Sequence, residues 1–95
     1  MVPVTIKLTK LGQPRDYIIE VDDDGSGEQT GLEFVNDTWQ GHLPKGERIL
    51  VVFVSGEESE GLEFDVTVGA NPKTVPSVII PAPPNVNTTR TILVP

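Results

Sequence analysis

The chain has 95 residues, 14 carboxylates against seven Lys and Arg, a formal charge of −7 and no cysteine. A chain of this length makes one domain with one hydrophobic core. The charge excludes a basic stripe that could neutralise nucleic-acid phosphates or an anionic membrane, and the missing cysteines exclude disulfides and thiolate metal sites.

The first residues, MVPVTIKLTK, lack the apolar stretch of a signal peptide, and no run approaches transmembrane length. They assign no compartment. Val2–Thr9 alternates, with Val2, Val4, Ile6 and Leu8 on one side and Thr5, Lys7 and Thr9 on the other. That is a half-buried strand. Pro3 has no N–H to donate, so this is expected to be an edge strand, or Pro3 to lie in its first residues. Lys10–Pro14 is a turn. Arg15–Val21 is a second strand, with Tyr17, Ile19 and Val21 on one face and Ile18 on the other, beside Asp16 and Glu20.

Asp22–Gly31, DDDGSGEQTG, is a long polar loop. Leu32–His42 is strand-like but interrupted at Asn36-Asp37, either as a bulge in one strand or as a tight hairpin. Trp39, the only tryptophan, is expected to plug the core, with ligand stacking as the rival role. Leu43–Glu47 turns the chain into Ile49–Val54, ILVVFV, the one six-residue run that is entirely apolar. Such a run predicts a central strand buried on both faces.

Ser55–Gly61, SGEESEG, is a second acidic turn. Leu62–Val68 alternates, with Leu62, Phe64, Val66 and Val68 inside. Gly69–Pro76 is a loop and Ser77–Ile80 a short strand. Pro81–Asn87 is too rich in proline for a ladder and reads as polyproline II. Thr88–Val94 is a last strand, expected to complete the core of its own domain with Ile92 and Val94, with exchange onto a neighbouring molecule as the alternative.

Seven or eight short strands, turn signals about every ten residues and no helical period predict an all-β fold. The expected architecture is a single β-sandwich over residues 1–95, of immunoglobulin-like size, with a small barrel as the alternative.

Two features point towards function. The first is Asp22–Glu33, which fits the spacing of a calcium loop. Asp22, Asp24, Ser26, Thr30 and Glu33 put oxygen ligands at alternate positions, and Gly27 falls at the sharp turn. Calcium needs six to eight converging oxygens, which a curled loop supplies. Gln29 replaces the usual apolar residue, and the flanks are strands where an EF-hand has helices. A solvated acidic hairpin loop is therefore the competing expectation.

The second feature is charge distribution. All 14 carboxylates lie between Asp16 and Asp65, against two cations there, Lys45 and Arg48. If residues 32–42 are one pass, both acidic loops emerge together. Asp22, Asp23, Asp24, Glu28, Glu57, Glu58 and Glu60 then form an acidic pole, opposite a basic one with Lys10, Arg15, Lys45, Arg48 and Lys73. A true hairpin at Asn36-Asp37 would separate the two loops.

Catalytic signals are missing. His42 is the only histidine, too few for a zinc site and without a nucleophile motif around it. The glycine-rich stretch GSGEQTG lacks the lysine of a phosphate loop. The sequence is thus expected to encode a non-enzymatic protein-binding or assembly module, with no cofactor unless calcium. Its partner would be a basic protein surface or a second copy. The alternatives are a calcium-dependent module and a small acidic inhibitor.

Overall fold

The computed structural model describes residues 1–81 and 85–95. It is all-β, with nine strands in two antiparallel sheets packed as a sandwich. The strands are β1 (Val2–Leu11), β2 (Asp16–Val21), β3 (Thr30–Gly31), β4 (Thr38–Leu43), β5 (Gly46–Ser55), β6 (Gly61–Val68), β7 (Asn71–Lys73), β8 (Val78–Ile79) and β9 (Asn85–Val94). One sheet runs β4-β1-β6, with β7 and β8 both on the far edge of β6. The other runs β3-β2-β5-β9.

Alternation decides which residues meet. Val4, Ile6 and Leu8 of β1 lie in register with Val68, Val66 and Phe64 of β6, and all six are buried. From the second sheet, Ile19 and Val21, Leu50, Val52 and Val54, and Ile92 and Val94 face them. Every buried side chain among the described residues is apolar or glycine. Tyr17, Phe34 and Trp39 pack at the margins of this core. Phe34 meets Tyr17 edge to face, with ring centres 6.4 Å apart.

Two expectations need correction, and one is decided between its alternatives. Strand β1 lies between β4 and β6 and is not an edge strand, and Pro3 lies in its first residues. Pro3 fits because it precedes Val4, the first residue paired to β6, so its missing N–H removes no ladder bond there. Residues 85–87, read as polyproline together with 81–84, belong to β9; residues 82–84 lie outside the described residues. And β5 is not buried on both faces. Leu50, Val52 and Val54 are buried, whereas Val51 and Phe53 are half-buried and Ile49 is exposed.

Strand β9 pairs with β5 at ten positions from Ser55↔Asn85 to Gly46↔Val94. Arg90 ties it across the sandwich. Its guanidinium donates to the carbonyls of Pro76 and Ser77, each at 2.8 Å. One inward cation thereby fastens β9 to the connection between β7 and β8.

Candidate functional site

The Asn36-Asp37 interruption is a tight hairpin. Both residues have positive φ, 52° and 56°, the signature of a type I′ turn. Val35 and Thr38 exchange both backbone hydrogen bonds across it, at 2.9 and 3.1 Å. The chain thus reverses between β3 and β4 and changes sheets as it does so.

That reversal separates the acidic loops. Asp16 of β2 pairs with Ser55 of β5, and Glu20 with Val51. The loop after Val21 therefore lies at the end where β5 begins, and the loop after Ser55 at the other. Asp22, Asp23, Asp24 and Glu28 share their end with the Pro44-Lys45 turn and Arg48, and Asp22 and Arg48 line one shallow cleft. Glu57, Glu58 and Glu60 share theirs with the turn that carries Arg15. The single acidic pole, and the basic pole opposite, do not form. Each end carries both signs.

Several of these carboxylates are committed to shaping their own loops. The two oxygens of Asp22 accept the N–H groups of Gly25 (2.8 Å) and Gly27 (2.7 Å). Asp24 accepts the N–H of Ser26 at 2.9 Å. Hydrogen bonds from Ser26, chiefly its hydroxyl, hold the Asp24 carboxyl below its ordinary value. Glu60 accepts the N–H of Gln13 with one oxygen and that of Glu57 with the other, both at 2.7 Å. The Glu57 and Gln13 N–H groups lower its pKa.

Of the five calcium-loop residues, Asp24 is hydrogen-bonded with Ser26 and with Asp22, and Glu33 lies apart. Thr30 is in β3, paired with Val21. Glu33 lines a cleft with Trp39, whereas Asp22 lines the cleft with Arg48. Among the described residues, no three His, Asp or Glu side chains group as a metal ion needs. His42 lies on the exposed side of β4, in register with Pro3.

The more continuous surface is one that the site residues named from sequence do not include. On the outer face of the β3-β2-β5-β9 sheet, Ile18 lies in register with Phe53, and Val51 and Ile49 follow along β5. Leu93, in register with Glu47, stands diagonal to Ile49. Ile18, Ile49 and Leu93 are 52%, 39% and 56% exposed. Asp16, Glu20 and Glu47 border this strip, and the outward positions of β2, β5 and β9 carry no Lys or Arg. The signal was present in ILVVFV: a small two-layer sandwich has layers enough to cover only one face of each sheet.

The chain matches no family model, no curated protein and no solved structure.

Proposed function

We propose that the domain is a non-enzymatic protein-binding module whose contact surface is the outer face of the β3-β2-β5-β9 sheet. The observation that carries this is the apolar strip Ile18, Phe53, Val51, Ile49 and Leu93, bordered mainly by the carboxylates Asp16, Glu20 and Glu47, with Arg48 beside Glu47 and Ile49 in one cleft. Contiguous exposed apolar surface with a polar rim is the usual mark of a protein interface. The border decides the occupant. A second copy placed symmetrically on this face would set one mainly acidic border against another, and like charges oppose such a contact. The partner is therefore a different protein, with an apolar strip flanked by Lys or Arg. The carboxylates of the end loops add long-range attraction.

The test takes a partner captured on the immobilised domain and purifies it for a binary titration. Ile18→Asp with Leu93→Asp should weaken binding at least about tenfold, a loss of about 1.4 kcal/mol. Asp16→Lys with Glu20→Lys should reduce it further, and the wild-type affinity should fall as salt rises. Circular dichroism confirms that the variants fold. If the face variants bind as wild type does, the surface is assigned wrongly. If light scattering shows a dimer that Ile18→Asp dissolves, the occupant is a second copy and the proposal fails.

A further inference from the structure

We propose that the cleft beside Trp39 is a binding site for a neutral oligosaccharide. It lies on β4, the edge strand of the other sheet, and so is independent of the face just described. The cleft measures about 520 Å³ and is lined by Glu33, Val35, Asn36, Thr38, Trp39 and Gln40. That volume is in the range of small-molecule sites and suits one or two sugar rings.

Its walls are held in place. The indole of Trp39 occupies the space that a side chain at position 41 would need: a Cβ on Gly41 would stand 2.8 Å from Cη2 and 3.1 Å from Cε2. Glycine at 41 thus lets the ring lie along its own strand, part of it against the core and part on the cleft wall. The lip is the Asn36-Asp37 turn. Besides the Val35–Thr38 pair, it is pinned by the Leu8 N–H, which donates to the Asp37 carbonyl at 2.8 Å. A ligand entering here meets a ring and a turn that are already ordered, which lowers the entropic cost of binding.

The lining selects the chemistry. A pyranose has an apolar C–H face and a rim of hydroxyls. The indole and Val35, which is 66% exposed, offer apolar surface for the first. Asn36, Gln40 and Glu33 bring amides and a carboxylate to the lining for the second, and the Thr38 hydroxyl, which donates to the Asn36 carbonyl at 3.3 Å, remains an acceptor. Other ligand classes fit less well. Nucleotides and acidic polysaccharides would meet Glu33 and a chain of charge −7, with no Lys or Arg in the lining. A quaternary ammonium is held by a cage of aromatic rings, and this lining has one. Acyl chains would strand the Asn36, Gln40 and Glu33 side chains without partners.

Trp39 is the only tryptophan, so intrinsic fluorescence reports on this cleft directly. The domain is titrated to about 10 mM with cellohexaose, xylohexaose, mannohexaose and N-acetylchitohexaose, and with tetragalacturonate as the acidic comparison. At least one neutral oligomer should give a saturable change with a dissociation constant on the order of 1 mM or below. Gln40→Ala and Asn36→Gly, at exposed positions outside the core, should each weaken that binding at least about fivefold. No saturable response to any neutral oligomer overturns the proposal. So does a response unchanged in both variants, or a stronger response to tetragalacturonate.

Discussion

Glu60 accepts the backbone N–H of Gln13 at 2.7 Å, across 47 residues of sequence. With its other oxygen it accepts the N–H of Glu57. One carboxylate thereby joins the loop after β1 to the loop after β5. Two glycines make room for it: a Cβ on Gly12 would stand 2.8 Å from one carboxylate oxygen, and a Cβ on Gly56 2.7 Å from the other. Glu60→Gln keeps the shape but can accept only one of the two N–H groups. Its melting temperature at neutral pH should fall by several degrees. The folded-state pKa of Glu60 is lowered from its ordinary 4.5, first by the Glu57 N–H and then by the Gln13 N–H. Its stabilisation is therefore fully present above that ordinary value and is lost as pH falls through the folded-state one. Melts from pH 7 downward should show the gap between wild type and Glu60→Gln closing only on the acid side. A gap constant with pH would remove the carboxylate from this role.

Neighbouring residues of the apolar run should respond very differently to truncation. Leu50 is fully buried, and Leu50→Ala should cost roughly 2–5 kcal/mol. Ile49, one residue earlier, is 39% exposed on the open face. Ile49→Ala should cost no more than about 1 kcal/mol, since much of its surface is already in water. Urea denaturation measures both. Equal losses would mean that something covers the outer face of β5.

Asp37 holds a left-handed backbone, φ 56°, that L-residues with a side chain adopt at a cost. Asn-Gly is the preferred pair for such a turn. Asp37→Gly should therefore stabilise the domain, by up to about 1 kcal/mol. The hydrogen bond from Leu8 uses the Asp37 carbonyl and survives the change. A drop in the urea midpoint would contradict the turn assignment.

Calcium should not stabilise the fold specifically. A site in Asp22–Glu33 with a dissociation constant of about 1 mM would add about 1 kcal/mol at roughly 5 mM ligand. Asp22 and Glu33 line different clefts, and both Asp22 oxygens already accept N–H groups. Melts with calcium, magnesium and chelator should coincide. A calcium-specific rise that disappears in Asp24→Ala would restore the metal site.

Much of this protein is determined by local pattern. Leu62–Val68 and Tyr17–Val21 alternate, and alternation alone assigns Phe64, Val66 and Ile19 to the interior and Ile18 to the outside. A strand's side chains change face with every residue, so each apolar set is readable without its partner. Two matters needed the tertiary structure. In Ile49–Val54 both faces are apolar, so periodicity could not say which one the second sheet would cover. At Asn36-Asp37 two residues settle whether the chain continues or reverses. Each reversal exchanges the ends of the sandwich for everything downstream. Two positive φ angles therefore placed the acidic loops at opposite ends, while the same hairpin formed the lip of the Trp39 cleft.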